Sequence, residues 1–280
     1  MLEIGCGAGG AECGMDAIWM KEAEMTWSAR QYLKFEDERT RPARDLLQAV
    51  PAGEVRRAAD LGCGPGNSTE LLAARFPGAS IVGVDNAADM IRAAKERLPA
   101  VRFELAPIED WSEPGPWDLI FANAALQWVG GHETLLPKLA GLLAPGGSLA
   151  IQMPDNLGEP SHAAMSAVAN TAPFAEKLAG AASARTAIPE AGWYHALLKP
   201  HCHRVDIWRT TYFHPLAGGL DAIVEWLKGT GLTPFLKPLS VEEKAAFLVA
   251  YKQELAKSYM PLADGTVILP FPRLFIVATR

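Results

Sequence analysis

Three glycines at alternate positions, Gly62, Gly64 and Gly66, follow an apolar run in which a β-strand over residues 55–61 is predicted. Glycine accepts positive φ at little cost and places no Cβ between the backbone and a ligand, so such a turn brings the chain close to a bound molecule. A second apolar strand ends on Asp85. In doubly wound sheets, an acid about 20 residues beyond a glycine turn binds the hydroxyls of a ribose. The spacing therefore predicts a nucleoside-type site.

The spacing within the turn narrows the kind of ligand. A dinucleotide site has the pattern G-x-G-x-x-G/A, whereas here Asn67 stands where the third glycine or alanine would be. The phosphate-binding pattern that ends in Gly-Lys-Ser/Thr is absent. Asp60, directly before the turn, can order it; its charge attracts a cation and repels a pyrophosphate. A ligand with an ammonium group and no phosphate fits these features best.

Composition excludes several other classes of protein. With 280 residues, 49% of them hydrophobic, the chain can bury the core of one large domain. A net charge of −6 without a Lys/Arg-rich run argues against a nucleic-acid partner. We expect no membrane span and no secretion signal, and therefore a cytoplasmic protein. The four cysteines lie far apart without a Cys-x-x-Cys pair, so we expect neither a metal site nor a disulfide framework.

Strands and helices alternate along the region that contains the glycine turn. Strands are predicted at residues 55–61, 80–84, 101–106, 117–123 and 148–153, with helices at 68–76, 87–98 and 135–143. This rhythm predicts an α/β, doubly wound, mostly parallel sheet that is covered on both faces. Further along the chain, strands are predicted at 205–214 and 274–279, separated by helices at 219–228 and 241–257. A helix that ends before Pro51 is predicted ahead of the first strand.

Two segments depart from this alternation. Residues 2–10 are a near copy of the glycine turn, but too few residues precede them for a central strand and no strand ending in an acid follows at the right distance. We therefore predict that residues 1–24 are a disordered or spurious extension and that residues 25–280 form the functional domain. Residues 155–200 are rich in Ala, Gly and Pro, with helical pieces predicted at 162–169 and 174–179. This composition favours an inserted lid over the carboxyl end of the sheet.

Several blocks of the chain resemble a known family. The segment from Asp60 to Thr69 resembles the first motif of class I S-adenosylmethionine-dependent methyltransferases, a motif that very many of these enzymes share. More specific blocks resemble the trans-aconitate 2-methyltransferase family within that class. These blocks are Trp27, Tyr32, residues 38–43, 119–124, 126–128, 152–156, 159–162, 206–212 and 271–278.

The resemblance implies both a fold and a reaction. The fold is a seven-stranded sheet with one antiparallel strand, and the reaction transfers a methyl group from S-adenosylmethionine to a carboxylate of trans-aconitate, giving a monomethyl ester. A carboxylate with an ordinary pKa near 4 is already ionised at neutral pH, so we predict no catalytic base, only alignment and exclusion of water. Three alternatives remain: a relative that uses another small acid, a nicotinamide oxidoreductase, and a protein that binds S-adenosylmethionine without turnover.

For the cofactor, the resemblance implies a set of residues around the glycine turn and the following strand ends. In this set the glycines line the methionine end, Asp85 binds the ribose and Asn123 offers its backbone near the sulfonium. The set is Asp60, Gly62, Gly64, Gly66, Asn67, Asp85, Asn86, Ile108, Glu109 and Asn123. Asp85 has an alternative interpretation as a strand-end acid that caps the next helix. Pro107 stands where the family commonly has an acid for the adenine amine, which leaves that contact to Ile108 and its neighbours.

A tricarboxylate substrate requires cationic and hydrogen-bonding groups, and arginine is the natural choice because its planar fork pairs with carboxylates. The candidates for substrate binding are Trp27, Tyr32, Arg39, Arg41, Trp128, Tyr194, Arg209, Tyr212, His214 and Arg273. Alternatives stay open for several of them. Arg39 and Arg41 lie in a charged run that fits a solvated face, Arg209 fits a side chain that points to solvent, and Trp128 fits a core residue.

Overall fold

The computed structural model describes residues 36–51, 53–181 and 186–280, and it contains a single seven-stranded sheet among them. The strands are β1 (Arg57–Leu61), β2 (Ser80–Asp85), β3 (Arg102–Leu105), β4 (Trp117–Asn123), β5 (Leu143–Pro154), β6 (Arg204–Leu216) and β7 (Val267–Thr279). Their order across the sheet is β3-β2-β1-β4-β5-β7-β6. The first five strands in this order pair in parallel, and β7 pairs antiparallel with both β5 and β6. The predicted mostly parallel sheet with one antiparallel strand is confirmed.

Helices cover both faces of this sheet. They are α1 (Glu36–Ala49), α2 (Asn67–Arg75), α3 (Ala88–Arg97), α4 (His132–Gly141), α5 (Pro160–Ala169), α6 (Ala191–Leu198), α7 (Gly219–Lys228), α8 (Thr233–Leu236) and α9 (Val241–Leu255). Along β4, Leu119 and Phe121 pack in the cluster that contains Leu46 of α1, while Ile120 and Ala122 pack in the cluster that contains Leu136 of α4. Successive side chains of a strand point to opposite faces, so a strand buried on both faces reads as continuously apolar.

A second core lies beyond the carboxyl end of β5. That strand ends where Pro154 pairs with Arg273, but β7 continues to pair with β6 as far as Val267 and Leu216. The projecting end of this hairpin packs with α5, α7 and α9 in an apolar cluster that includes Phe271 and Tyr251. The chain therefore builds a wall facing the edge of the sheet at which the parallel strands end.

The boundary between α4 and β5 differs from the prediction. The helix predicted over residues 135–143 ends at Gly141, and β5 begins at Leu143 rather than at residue 148. Pairing with β4 shifts register across this interval, which contains Gly146 at a φ of 79°. Because the strand carries an irregular segment, its first residues lack the alternation on which the prediction depended.

The segment predicted as a lid divides between the two cores. Its first helix, α5, packs on α9, whereas Tyr194 and Leu198 of α6 lie in the core cluster of the sheet. Hydrogen-bonded turns occupy residues 171–181, where a helical piece was predicted, and α6 was not predicted at all. The segment predicted as an N-terminal extension lies outside the described residues. Within the part of the chain that the structure describes, no helix is long and apolar enough to cross a membrane.

Candidate active site

The glycine turn connects β1 to α2 through three residues with positive φ, at 76° for Gly62, 54° for Gly64 and 91° for Gly66. The backbone N–H of Gly62 donates to Val84 O at 2.8 Å, which ties the turn to β2. A Cβ built on Gly62 would lie 2.2 Å from the Cβ of Ala125, whereas one built on Gly64 would meet nothing within 4 Å. The first glycine is therefore required by packing, and the second leaves open space.

Asp60 is fully buried beneath this turn. Its Oδ2 accepts from Ser68 Oγ at 2.7 Å and from Thr69 Oγ1 at 2.6 Å, so the carboxylate holds the first turn of α2 against the end of β1. Burial raises the pKa of Asp60 to about 6, with a smaller contribution from the nearby charge of Asp85. Asp60 thus orders the turn from below and does not line the cavity described next.

Asp85 joins the ends of β1 and β2. Its Oδ2 accepts from the N–H of Gly64 at 2.9 Å, and its Oδ1 accepts from the N–H of Ala87, the residue that precedes α3, also at 2.9 Å. Burial raises its pKa, opposed by these backbone hydrogen bonds. Both interpretations of this residue describe part of its position, because its carboxylate accepts from the residue that precedes the next helix and also lines the cavity above the glycine turn.

A cavity of about 340 Å³, which we call the glycine-turn cavity, lies over the ends of β1, β2 and β4. Eight of the ten residues predicted for the cofactor line it, all except Asp60 and Gly66. The lining members are Gly62, Gly64, Asn67, Asp85, Asn86, Ile108, Glu109 and Asn123.

 

Asp60 lies beneath the turn, and Gly66, although it precedes α2, faces Ala94 of α3, whose Cβ would be 3.4 Å from a Cβ built on the glycine. Ile108 and its neighbours were predicted to contact the adenine. Ile108 and Glu109 line the cavity, while Trp111 is buried against Trp117 in the core.

The strand end opposite the glycine turn carries an unusual backbone. Ala124, directly after β4, has a φ of 53°, a region that residues other than glycine rarely occupy. Its N–H donates to Gln152 O at 2.9 Å, and its carbonyl accepts from Gln127 Nε2 at 2.7 Å. Strain of this kind persists where the surrounding structure enforces it and is frequent at functional sites. Ala124 lines both the glycine-turn cavity and the cavity that adjoins it.

The adjoining cavity, of about 390 Å³, is called here the arginine cavity. It shares Met90, Ala124 and Trp128 with the glycine-turn cavity, so the two are neighbouring chambers. Its described lining residues are Met90, Ala124, Gln127, Trp128, Pro154, Asn156, His162, Gly229, Thr230, Gly231, Thr233, Pro234, Phe271 and Arg273. Trp128 is 49% exposed and lines the cavity, so the structure does not place it in the core.

Arg273 is the cationic side chain of this wall and is only 4% exposed. Its Nη1 donates to Gln152 Oε1 at 3.1 Å, and its guanidinium lies 4.8 Å from the centre of the Phe271 ring. The ring of Tyr212 lies 6.0 Å away on β6, and its hydroxyl donates to Asp45 Oδ2 of α1 at 2.6 Å. Arginine is thus held at the cavity by a neutral amide and two aromatic rings.

Besides Tyr212, four other predicted substrate residues do not line either cavity. Tyr194 is fully buried, and its hydroxyl lies 2.9 Å from Nδ1 of His132 in the core of the sheet. Arg209 is an exposed side chain whose Nε lies 2.9 Å from Asp155 Oδ2. Arg41 lies over the Tyr212 ring at 5.2 Å.

His214 is the fourth of these residues. It packs 4.4 Å from the Trp226 ring centre, and burial lowers its pKa to about 4, with further lowering by Arg273 and Arg41. Like Tyr212, whose ring centre lies 6.4 Å from its own, it lines neither cavity. Trp27, Tyr32 and the side chain of Arg39 lie outside the described residues.

Sequence reasoning missed several residues of the arginine cavity. Gln127, Asn156 and His162 line it with side chains that are at most 8% exposed, and the loop from Gly229 to Thr233 closes it. Gln127, Asn156 and His162 all belong to blocks that carried the family resemblance, and this membership was the available signal. The loop belongs to no such block and could not be assigned from its residue types.

Comparison with known proteins agrees with this geometry. A family model described as a methyltransferase domain matches residues 58–147, which span the glycine turn to the start of β5. A trans-aconitate 2-methyltransferase of Methylobacterium nodulans is 58% identical over 254 residues, covering 91% of this chain and 98% of that protein.

Solved structures share the fold at low sequence identity. The YcgJ protein of Bacillus subtilis has a TM-score of 0.57 at 12% identity, covering 86% of this chain and 98% of its own. The phosphoethanolamine N-methyltransferase 2 of Haemonchus contortus, solved with S-adenosyl-L-methionine, has a TM-score of 0.51 at 20% identity, covering 86% of this chain and 52% of its own. The identity to the Methylobacterium protein over nearly the whole of both chains decides the family: this chain belongs to the trans-aconitate 2-methyltransferases.

Proposed function

We propose that this protein transfers the methyl group of S-adenosylmethionine to a carboxylate of trans-aconitate, producing a monomethyl ester and S-adenosylhomocysteine. The observation that carries the proposal is the pair of adjoining chambers with opposite charge. Asp85 and Glu109 line the glycine-turn cavity, whereas the described lining of the arginine cavity contains Arg273 and no carboxylate. One chamber suits a ligand with a cationic end and a ribose, and the other suits an anion.

The glycine-turn cavity fits S-adenosylmethionine. The open space at Gly64 lets the methionine end approach the backbone, and a Cβ there would project into that space. A carboxylate has about four lone-pair sites, so Asp85 can accept from ribose hydroxyls while it keeps both backbone donors. Ile108 offers an apolar surface to the adenine, and Glu109 offers an acceptor at its edge. When bound, the cofactor supplies an activated methyl group together with its own leaving group.

The arginine cavity fits the acceptor. A buried guanidinium pairs strongly with a carboxylate, because charge-assisted hydrogen bonds are roughly twice as strong as neutral ones and water does not screen them there. Arg273 is already oriented by Gln152 and by the Phe271 ring, so little side-chain freedom is lost on binding. Arg273 would hold the acceptor so that one of its carboxylates lies at the border between the two cavities. Met90, Ala124 and Trp128 line this border.

No residue is needed to remove a proton. A carboxylic acid with an ordinary pKa near 4 is ionised at neutral pH, so the acceptor oxygen is already nucleophilic. The residues at the border contribute by alignment: Ala124 fixes the backbone between the chambers, and Trp128 covers both of them. Alignment of two reactants can supply about 7–11 kcal/mol of the barrier in favourable cases. We also propose that residues 155–169, which supply Asn156 and His162 to the wall, are the part of the predicted lid that covers the acceptor.

Incubation with methyl-labelled S-adenosylmethionine tests the proposal. Trans-aconitate should acquire label that is released by mild base, as an ester is, and the product should have the mass of a monomethyl ester. A panel of other di- and tricarboxylates separates this function from a relative that uses another small acid. Absence of transfer to every polycarboxylate would contradict the proposal, and binding of the cofactor without any turnover would favour a non-catalytic protein.

A further inference from the structure

A short turn after β4 contributes residues to both ligand cavities. Residues 124–129, called here the border turn, contain a single turn of 3₁₀-helix over Leu126–Trp128. Trp128 lines both cavities, Val129 lines the glycine-turn cavity and Gln127 lines the arginine cavity. The alignment of a bound methyl donor with a bound acceptor therefore depends on where the border turn lies.

A histidine of the core holds the border turn through the carbonyl of Leu126. His132, the first residue of α4, has its Nε2 2.9 Å from this oxygen. A carbonyl oxygen only accepts, so Nε2 is a nitrogen that carries hydrogen and donates. Leu126 is fully buried and His132 is 7% exposed, so water does not compete for this hydrogen bond. The orientation of the imidazole is thus coupled to the position of the turn.

Tyr194 of α6 fixes the other side of this imidazole. Its hydroxyl lies 2.9 Å from Nδ1 of His132 and 3.9 Å from Met153 Sδ on β5. In the neutral ring with its proton on Nε2, Nδ1 has a lone pair that accepts better than a thioether, so the hydroxyl donates to the nitrogen. Burial raises the pKa of Tyr194, and the hydroxyl therefore keeps its proton. Two successive hydrogen bonds connect α6 with the border turn.

The border turn also has unfilled space beside it. A cavity of about 180 Å³ lies against the turn, and its lining includes Leu126, Gln127 and Val129 together with His132. Close packing holds side chains in place where neighbours fill the space, and a cavity leaves room for a shift. The hydrogen bond from His132 connects the turn with α4 beside this cavity, so it supplies a restraint that packing on this side does not.

We propose that His132 and Tyr194 are positioning residues for methyl transfer, which act through the Leu126 carbonyl to hold the border turn, and with it Trp128, where the acceptor and the cofactor align. This inference rests on the proposed function and deepens it. Neither His132 nor Tyr194 lines the glycine-turn cavity or the arginine cavity, so both act on the transfer step rather than on binding. A misplacement of about 1 Å can cost about 100-fold in rate.

Single-turnover kinetics on the full chain, with both ligands saturating, measure the transfer step. Tyr194→Phe and His132→Leu should each lower the rate of ester formation about tenfold or more, while the dissociation constants of S-adenosylmethionine and trans-aconitate stay within about twofold. His132→Gln, whose side-chain N–H can reach the Leu126 carbonyl, should recover much of the rate that His132→Leu loses. A rate within about twofold of wild type in either Tyr194→Phe or His132→Leu, equal losses of rate and affinity, or no recovery in His132→Gln would overturn the inference.

A matched control separates positioning from loss of stability. The hydroxyls of Ser148 on β5 and Thr279 on β7 form a buried hydrogen bond at 3.1 Å, and neither residue lines the two ligand cavities. Thr279→Val removes this hydrogen bond from the same sheet, so it should lower the midpoint of urea denaturation as Tyr194→Phe does and leave the transfer rate unchanged. A rate that falls in Thr279→Val as it falls in Tyr194→Phe would overturn the inference.

Fluorine NMR of protein labelled with fluorotryptophan gives a readout that needs no turnover. The chain has eight tryptophans, and the resonance that disappears in Trp128→Phe belongs to Trp128. This resonance should shift in Tyr194→Phe and in His132→Leu and stay in place in Thr279→Val; an unmoved resonance in the first two variants would overturn the inference. If the wild-type protein forms no ester, the proposed function fails, whereas the Trp128 resonance still reports whether the two residues hold the border turn.

Discussion

The glycine-turn cavity and the arginine cavity differ in how the chain builds them. The first is lined largely by residues 62–68 and 85–90 and by the turn that follows β4, so short stretches at strand ends supply most of it. The second collects residues from Met90 to Arg273, with contributions from α5, from the loop after α7 and from the projecting end of the β6–β7 hairpin. A local turn thus forms one chamber, and long-range packing forms the other.

This difference has a consequence for function. The glycine turn that forms one wall of the first cavity depends on three residues with positive φ, so the shape of this wall depends on backbone conformation. Side chains dominate the arginine cavity, and its chemistry can be altered by single substitutions without changing the sheet. The border residues Met90, Ala124 and Trp128 belong to both chambers, and changes there should affect both ligands. The following predictions test this separation.

The largest effect is expected from Gly62→Ala. The new Cβ would lie 2.2 Å from that of Ala125, at a φ of 76° that alanine rarely adopts. We expect a loss of several kcal/mol in the free energy of unfolding and loss of detectable cofactor binding. Urea denaturation and calorimetry measure the two effects. Gly78→Ala is the matched control, since a Cβ there meets nothing within 4 Å. A variant of Gly62 with unchanged stability would show that the two turns are not packed as described.

Arg273→Gln should impair the use of the acceptor and leave the binding of the cofactor unchanged. Removal of a buried cation from its carboxylate partner commonly costs 2–5 kcal/mol, so kcat/KM for trans-aconitate should fall by about 100-fold or more. The dissociation constant of the cofactor should stay within about twofold, because Arg273 does not line the glycine-turn cavity. Steady-state kinetics and calorimetry measure these values. An equal loss of affinity for both ligands would contradict the separation.

Asp85→Asn should weaken the binding of the cofactor and leave the use of the acceptor unchanged, the opposite of what is expected for Arg273→Gln. The amide cannot accept from Gly64 and Ala87 through both of its polar atoms, because one of them is now a donor. We expect the dissociation constant of the cofactor to rise by about 10-fold or more, and the KM for trans-aconitate to stay unchanged once the cofactor is saturating. Calorimetry followed by kinetics at high cofactor concentration checks this. A raised KM at saturation would show that the glycine-turn cavity also shapes the acceptor site.

The smallest effect is a pH dependence of stability. Burial raises the pKa of Asp60 to about 6 from an unfolded value near 3.8, so between these values the folded protein binds more protons than the unfolded chain. Its contribution to stability is therefore complete below about pH 4 and is lost as the pH rises through about 6. Relative to wild type, Asp60→Asn should gain on the order of 2 kcal/mol in the free energy of unfolding between pH 4 and pH 7. Urea denaturation across this range tests it, and a difference that is constant with pH would contradict it.

The sequence predicts features that local turns form, and it does not predict features that long-range packing forms. The glycine turn, the acid after β2 and the seven-stranded sheet could be predicted, because each depends on local spacing or on strand periodicity. Tyr194 and His214 illustrate the limit: their residue types suit a ligand, but their burial follows from packing between distant elements. The contact between Gly231 and the His162 ring, 2.9 Å from a Cβ built on the glycine, could not be predicted either, because the two residues are far apart in the sequence. Periodicity identifies elements, and only the assembled fold shows which side chains share a cavity.

The contact between Gly62 and Ala125 also bears on how this protein can change over evolutionary time. Any side chain at position 62 would require Ala125 to lose its methyl group or the turn after β4 to move. That turn contains Ala124, whose carbonyl and amide are both engaged, so it has little room to yield. A substitution at Gly62 is therefore closed to neutral drift unless Ala125 first loses its methyl group or the turn after β4 moves. The chamber for the acceptor can diversify around Arg273, whereas a change at Gly62 has to wait for a change in the facing turn.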